Sequence, residues 1–496
     1  MNYMIYLIRT YFGLKYERGM KMVLKRKTSF FLSVALITCL TLAACSNNNS
    51  KSDSSAPASS DTPASSEAAP SSEAPPADPV KLTVLLDGAM MLGNYDDPEE
   101  RLKQYDQDLK DGKITGNKND EMQRDNLKYL SEKLKSQNIQ LVAPDWGWAE
   151  PLIQKESAAF LANDGPDIIV GETQMPGFAL AGNLEPFPED LAAKIRANVA
   201  EAAWKPMEVD GKIYGLAPDP GVNILYWNKK IVAEAGLDPD KAPATWDELL
   251  ANSKAIFEHG KASAGGVYGG PNFGGYLRFG AFMKLAGGNF VDSKGAPTIN
   301  SPENVKAFEF LRQMNKYNKP GIVSALEEGT FFQAFDKDQI AYQVNGPWVI
   351  SGCIEQKKEC GVAPLPIGPA GTPGNVTIGA AFQSVPKYSK HKEEAFMVIE
   401  ELMGDTIQQN IANAGVRAPI LKSITESDAY KAAQPELYVF AKGLQGDVVG
   451  LPTFSGDANK AWQAIGEAMT KTMVTDKPIA DLLRDAQDKI VAAGKK

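Results

Sequence analysis

The sequence predicts an α/β protein with more than one domain and mostly parallel sheets covered by helices on both faces. Short apolar segments alternate with helical segments along the chain, which is the pattern of βαβ units. The part of the chain from 80 to 496 is too long for one ordinary domain. Its content of 43% hydrophobic and 23% charged residues is that of a globular protein.

The elements follow from local signals. The first predicted strand, 81–86, carries no charge after its first residue. Asp97 is an N-cap, followed by a first-turn proline and two acidic residues, and this helix is expected to end near Gly112. The pattern then predicts a helix over 126–136, a strand over 139–143, a helix over 149–161, a strand over 167–170 and a helix start at Thr245.

Residues 1–44 are interpreted as a signal peptide. A group of basic residues precedes an apolar run, 29–44, that closes on Leu-Ala-Ala-Cys. This resembles the lipobox of bacterial lipoproteins, which implies that Cys45 is diacylated and becomes the mature N-terminus. The alternative is a membrane anchor, but the run is short for a span and no positive charge follows at once. Translation starts at Met1, Met20 or Met22.

Residues 45–79 are predicted to be a lipidated cysteine and a disordered linker. The segment consists almost wholly of Ser, Ala, Pro, Asn, Asp and Glu, which cannot bury enough apolar surface to offset its ordering entropy. The protein is therefore expected outside the cytoplasm, held by lipid at the outer face of the cell membrane. The net charge of −9 argues against nucleic acid as a partner.

Cysteine and histidine usage limits the chemistry. Once Cys39 and Cys45 are assigned to the leader and the anchor, Cys353 and Cys360 remain, and an oxidising compartment favours a disulfide between them. With only two histidines, far apart, a zinc site or a histidine-based triad is improbable. We expect no metal and no cofactor.

Several short motifs occur in a fixed order along the chain. They are 165–169 (GPDII), 181–186 (AGNLEP), 210–216 (DGKIYGL), 226–230 (YWNKK), 235–237 (AGL), 245–249 (TWDEL), 345–348 (NGPW), 361–366 (GVAPLP) and 389–395 (SKHKEEA). With them the chain resembles the family 1 extracellular solute-binding proteins of ABC importers, and the tail 480–487 resembles that of maltose-binding-protein-like members.

The resemblance implies a two-lobed, type II periplasmic-binding-protein-like fold with the solute between the lobes. Lobe 1 is expected to comprise 80–217 and 371–415, and lobe 2 to comprise 222–366 and 420–496. Hinges are placed near the proline- and glycine-containing segments 217–221, 366–370 and 415–419, where proline stops helices and glycine absorbs changes in φ and ψ. Ordinary loops between strands and helices would have the same composition.

The resemblance also implies a binding site with aromatic and polar side chains, because sugar rings stack on indoles and sugar hydroxyls bond carboxylates, amides and guanidinium groups. Trp348 matches a tryptophan that packs against sugar in this family, and Trp462 lies at the distance from the tail expected of a second one. Each could instead be a core residue. The further candidates, for which a solvated loop is the alternative, are Asp87, Trp146, Trp148, Glu172, Thr173, Gln174, Asp219, Asn272, Phe273, Tyr276 and Arg278.

These features imply a monomeric, non-catalytic binding protein that captures an oligosaccharide, of maltodextrin type as a first hypothesis, and delivers it to an ABC importer. One alternative is the same architecture for another sugar, a polyol or another small solute. The other is a secreted carbohydrate-active enzyme, which would need a facing pair of carboxylates.

Overall fold

The structure is a computed structural model, and it describes residues 78–86, 92–114, 116–148, 150–172, 174–292, 295–325, 328–371, 376–445, 448–449, 454 and 458–494. The predicted signal peptide, Cys45 and the linker up to residue 77 lie outside these residues. In the described part of the chain, no helix has the length and apolarity that a membrane span requires.

The strands and helices alternate along the chain. The strands are β1 (Val80–Thr83), β2 (Ile139–Val142), β3 (Ile169–Gly171), β4 (Glu208–Val209), β5 (Lys212–Ile213), β6 (Gly221–Val222), β7 (Ile224–Asn228), β8 (Ser263–Gly266), β9 (Ile340–Asn345), β10 (Cys360–Ala363), β11 (Val376–Gly379), β12 (Phe382–Ser384) and β13 (Val448–Val449). The helices are α1 (Pro98–Lys110), α2 (Lys118–Lys135), α3 (Glu150–Ala162), α4 (Met175–Leu180), α5 (Glu189–Asn198), α6 (Lys229–Glu234), α7 (Trp246–His259), α8 (Phe273–Leu285), α9 (Pro302–Asn315), α10 (Glu328–Asp336), α11 (Ile350–Glu355), α12 (Lys392–Leu402), α13 (Asp405–Ala414), α14 (Lys422–Thr425), α15 (Asp428–Ala433), α16 (Pro435–Gly443), α17 (Ala458–Val474) and α18 (Ile479–Gly494).

Two sheets organise the protein. In the first, β1 pairs with β2, β12 pairs with β3, and a bridge between Val84 and Ile168 joins the two pairs. The second sheet has the order β10-β7-β9-β8. We call the part built on β1, β2, β3 and β12 lobe 1 and the part built on β7 to β10 lobe 2. A small sheet of order β13-β11-β6 contains strands that lead from one lobe to the other.

The α/β class is confirmed, but the sheets are mixed rather than mostly parallel. Strand β7 is antiparallel to both β9 and β10, and β12 is antiparallel to β3, whereas β1–β2 and β8–β9 are parallel. Both β7 and β12 follow directly on a segment that comes from the other lobe. Because no helical crossover precedes these strands, they are not constrained to run parallel to their neighbours.

The segment predicted as the second hinge, 366–370, packs on lobe 2. Ile367 bridges to Thr245, and the backbone N–H of Ala370 donates to the carbonyl of Leu285 at 3.0 Å. The segment 366–370 is therefore part of lobe 2, and β11 and β12 come after it in the sequence. Proline and glycine content alone does not distinguish a connecting segment from a loop that packs on a helix.

Helix starts with a strong capping signal are where the sequence places them. The Asp97 carboxylate accepts from the backbone N–H groups of Glu99 and Glu100, and the Thr245 hydroxyl accepts from that of Glu248. The Gly-rich segment 269–280, for whose residues a solvated loop was the alternative, is helical from Phe273 onward, where α8 begins. Close packing overrides the low helix propensity of its glycines, and a Cβ at Gly275 would overlap the carbonyl of Gly270.

Cys353 and Cys360 are joined by a disulfide, with their Cα atoms 6.2 Å apart. The bond ties the end of α11 to the first residue of β10, the edge strand of the second sheet. The link therefore lies in lobe 2.

Candidate functional site

A cavity of about 380 Å³ lies between the two lobes. Its walls come from loops that follow strands of lobe 1, from α8, α10 and the end of β9 in lobe 2, and from the connecting segments. Described residues that line it are Trp148, Glu172, Gly274, Leu277, Arg278, Glu328, Phe332, Trp348, Gly379, Ala381 and Arg417. Four residues predicted from sequence or resemblance line this cavity, namely Trp148, Glu172, Arg278 and Trp348. A fifth, Asp219, pairs with the lining residue Arg417.

The indole of Trp348 packs against the backbone of three glycines. A Cβ at Gly221, Gly346 or Gly379 would overlap the ring. Gly221 is in the first predicted hinge, Gly346 directly follows β9, and Gly379 is in β11. The indole Nε1 donates to Asn345 Oδ1 at 2.9 Å, which fixes the ring in its plane. The side chain is only partly buried and borders the cavity, as a stacking surface must.

Arg278 is buried beneath the lobe 2 wall and its donors are occupied. Its Nε donates to the Val344 carbonyl at 3.0 Å, and its terminal nitrogens donate to the Gly274 carbonyl at 3.0 Å, to Asn345 Oδ1 at 2.9 Å and to the Glu328 carboxylate. Burial lowers the pKa of Arg278, while Glu328 and then Glu172 act in the opposite direction. The guanidinium therefore positions Glu328 and, through Asn345, Trp348.

Glu172 and Arg278 line the cavity from different lobes. Glu172 follows β3 in lobe 1, and the negative charge of its carboxylate acts to raise the pKa of Arg278. Glu328 lies on the opposite, lobe 2 side at the start of α10. A ligand between them would meet a carboxylate from each lobe.

Asp219 and Arg417 form an ion pair that joins two connecting segments. Arg417 Nη1 lies 3.3 Å from Asp219 Oδ2, and its Nε donates to Asn119 Oδ1 in α2 at 3.4 Å. Asp219 is buried, whereas part of the Arg417 side chain reaches the cavity wall. Asp219 thus holds a residue of the cavity wall.

The lobe 1 wall presents Trp148 on a tight turn. The Asp145 carboxylate accepts from the backbone N–H of Gly147 at 2.7 Å, and Gly147 has a φ of 76°, which favours glycine. The turn projects Trp148 into the cavity wall, where the residue keeps 39% exposure. Trp146, two positions earlier, packs against the hydrophobic core.

Other predicted residues lie elsewhere. Trp462 stacks on Tyr276 with ring centroids 5.0 Å apart. It also forms T-shaped pairs with Phe290 and Phe454, with centroid distances of 5.3 and 5.0 Å. Trp462 therefore packs in an aromatic cluster of lobe 2. Asn272 caps α8 by accepting from the Gly275 N–H. Gln174 does not line the cavity but holds the Glu172 loop. Asp87 and Thr173 lie outside the described residues, and only the backbone of Phe273 is described.

Sequence reasoning missed Glu328, Phe332 and Arg417. Arg417 lies inside the third predicted hinge, 415–419, so its position in the sequence could have identified it as a candidate for the cavity between the lobes. Glu328 and Phe332 belong to a helix with no distinctive motif, and they reach the cavity only because α10 packs beside α8 and β9.

A larger cavity of about 630 Å³ lies beside the disulfide, but its chemistry is weaker. Three of the four lysines that line it are engaged by the protein: Lys229 pairs with Asp240, and Lys230 and Lys358 pair with Asp338. No aromatic ring is among its lining residues. The cavity between the lobes is therefore the candidate site. Within the described part of the chain, no group of three or more histidine, cysteine or acidic residues could hold a metal ion.

Two lobes, several connecting segments and a cavity with groups from both sides define a two-lobed ligand-binding protein. Residues 139–436 match the family described as bacterial extracellular solute-binding protein. The chain belongs to this family.

Known proteins similar to this chain include binding proteins for several solutes. A probable amino-acid ABC transporter periplasmic-binding protein of Sinorhizobium fredii is 25% identical over 55% of this chain and 63% of its own length. A maltotriose-binding protein of Pyrococcus abyssi is 28% identical over 42% of this chain and 43% of its own. The crystal structure of a cyclic α-maltosyl-1,6-maltose binding protein from Arthrobacter globiformis superposes with a TM-score of 0.64 at 20% identity, over 84% of this chain and 99% of that one, and it supports the type II fold.

Proposed function

We propose that the protein captures an oligosaccharide between its lobes and delivers it to an ABC importer, with a maltodextrin as the first ligand to test. The observation that carries the proposal is the position of Trp348, a fixed indole that borders a cavity lined from both lobes. An indole face and a ring of polar groups are what a pyranose requires. The sugar-binding relatives support the same ligand class.

The charges of the cavity favour an uncharged polyhydroxyl ligand. Arg278 is engaged by Glu328 and backbone carbonyls, and Arg417 is engaged by Asp219. Neither guanidinium is therefore set up as a dedicated partner for a ligand carboxylate or phosphate. Glu172 and Glu328 offer acceptors for sugar hydroxyls on opposite sides of the cavity. A ligand that bonds both would stabilise the closed form by its differential affinity for it.

Calorimetry against neutral oligosaccharides of different linkage, with maltotriose first, tests the proposal. We expect one neutral sugar to bind and raise the melting temperature, and the sugar to be recovered unchanged, which separates a binder from an enzyme. Tight binding of an amino acid with no response to any neutral sugar would overturn the sugar assignment and leave the solute-binding role. Release of shortened sugar would favour the enzyme alternative.

The location is part of the proposal. Lipidation of Cys45 and the linker 46–79 would hold the body near the membrane, as a monomer that meets the importer. A Cys45→Ala variant should accumulate as precursor or be released without lipid. Normal processing and membrane retention of that variant would contradict the lipoprotein interpretation.

Movement of the lobes completes the proposal. We place the bending at 217–221, at β11, and at 415–419. Small-angle scattering with and without the ligand should show a decrease in the radius of gyration on binding.

A further inference from the structure

A fully buried carboxyl group lies behind the lobe 1 wall of the cavity. Glu156 is on α3 and has no solvent exposure. Its Oε2 accepts from Gln174 Nε2 at 3.2 Å. Its other oxygen, Oε1, is buried and has no hydrogen-bond partner among the residues that the structure describes. A buried glutamate with one donor is costly when it is charged.

Gln174 links this carboxyl group to the cavity. While its Nε2 donates to Glu156, its Oε1 accepts from the backbone N–H of Glu172 at 3.2 Å. The amide lies directly against Gly171, where a Cβ would overlap it. Both polar atoms of the Gln174 amide are thus hydrogen bonded. Glu172, whose backbone N–H donates to this amide, lines the cavity.

We propose that Glu156 and Gln174 are positioning residues of the binding cavity: they hold the Glu172 loop in its binding conformation, and they do so with Glu156 in its protonated, neutral form. The importance of this loop for affinity rests on the function proposed above for the cavity. The structural link between the two side chains and the loop is independent of that function.

The groups around Glu156 favour its neutral form. Burial raises its pKa to about 8, against a smaller opposing effect of the Gln174 hydrogen bond. The facing ring is Tyr388, which packs on Phe160 of the same helix at 5.7 Å, and burial with the charges of Glu156 and Asp167 raises the pKa of its hydroxyl. The neighbouring cation on α3, Lys155, is exposed and donates to the carbonyl of Trp146.

Loss of the proton would disturb the loop. Ionisation strengthens the hydrogen bond that Gln174 donates, but it leaves Oε1 with no donor among the described residues, so an ionised Glu156 needs water as well. Displacement of Gln174 would let water reach the carboxylate and would release the N–H of Glu172. The fraction of molecules with a binding-competent loop, and with it the apparent affinity, should therefore fall at alkaline pH.

Hydrogen exchange of the peptide that contains residues 171–175 tests the link without any ligand. Wild type, Glu156→Gln and the control Glu132→Gln, a change at an exposed glutamate of α2, are compared at pH 6.5 and 9. The peptide sequence is identical in all three, so intrinsic exchange cancels. We expect wild type and control to lose about tenfold more protection at pH 9 than Glu156→Gln, because about nine-tenths of Glu156 would be ionised. Equal pH dependence in all three would overturn the proposal.

Maltotriose titrations extend the test to binding. The dissociation constant of the wild type should rise about tenfold between pH 6.5 and 9, and that of Glu156→Gln should stay constant. Gln174→Ala should weaken binding at both values. If maltotriose does not bind, the ligand assignment fails while hydrogen exchange still decides the positioning role. If it binds with equal pH dependence in wild type and Glu156→Gln, the positioning role fails and the binding function stands.

Discussion

The two walls of the cavity are built differently. On the lobe 2 side, Arg278 ties together α8, α10 and the end of β9, and Trp348 is hydrogen bonded and supported by glycine backbone. On the lobe 1 side, Trp148 stands partly exposed on a turn, and the amide side chain of Gln174 accepts from the backbone N–H of Glu172. We infer from this difference that the lobe 2 wall is preorganised to receive the ligand and that the lobe 1 wall adjusts to it.

The largest effect should come from breaking the lobe 2 wall. Arg278→Ala would leave the buried end of Glu328 without its cation and would remove one donor each from Asn345 and two carbonyls, at a cost of roughly 3–5 kcal/mol in the free energy of unfolding. Denaturant titration measures it. The control is Arg484→Ala, which removes an exposed ion pair with Asp481 and should cost less than about 1 kcal/mol. Equal costs for the two variants would show that the wall is not held by Arg278.

Two tryptophans separate core packing from ligand contact within lobe 2. Trp462→Ala should cost roughly 3–5 kcal/mol of stability, because it empties an aromatic cluster. Trp348→Ala should instead weaken sugar binding by roughly 1–4 kcal/mol, with a smaller loss of stability, because the ring is only partly buried. Melts with and without ligand distinguish the two. The reverse result would move the ligand to Trp462, as the resemblance suggested.

The pH dependence of stability should report on the lobe 1 wall. A folded-state pKa of about 8 for Glu156, above the ordinary 4.5 of a glutamate, means that the folded protein binds a proton which the unfolded chain releases. This contribution is fully present below about pH 4.5 and is lost as the pH rises to about 8. Relative to Glu156→Gln, the wild type should lose on the order of a few kcal/mol over this range. Chemical denaturation at several pH values checks it, and parallel curves would exclude a neutral Glu156.

The smallest effect is expected for the exposed residue of the lobe 1 wall. Trp148→Ala should leave the free energy of unfolding within about 0.5 kcal/mol of the wild type, as for a surface change. It should lower ligand affinity by about 1 kcal/mol, since an adjustable contact loses little when it is removed. Paired calorimetry and thermal melts measure both. A loss of affinity as large as that of Trp348→Ala would remove the difference between the walls.

Much of the fold could be predicted from local signals. The caps at Asp97 and Thr245 set helix starts, because a side-chain acceptor in a fixed place satisfies free N–H groups. The segment 118–125 was missed as the start of α2, because its polar residues carry little periodicity. The order of motifs predicted the family. Local signals could not predict whether neighbouring strands run parallel or antiparallel, because this depends on the end of the sheet at which the chain enters each strand.

The site was only partly predictable. The resemblance pointed to Trp348; Trp148 and Glu172 were among the further candidates, and the structure brings all three to one cavity. The same reasoning could not separate Trp348 from Trp462, since both are tryptophans on plausible positions. It also could not distinguish a residue that contacts ligand from one that holds the protein together. Arg278, Asn272 and Tyr276 were therefore predicted as site residues in the same way as residues that face the cavity.

The sequence by itself determined the α/β class, the capped helix starts at Asp97 and Thr245, the family and several residues of the candidate site. These follow from short-range chemistry and motif order, which are properties of the chain. Only the tertiary structure decided which side chains share the cavity and which groups support them. Glu328 and Arg417, far apart in the sequence, line one cavity because helices and connecting segments pack together, and the pKa of Glu156 is raised because packing removes water from it. Burial and pairing are properties of the assembled protein, and no single segment encodes them.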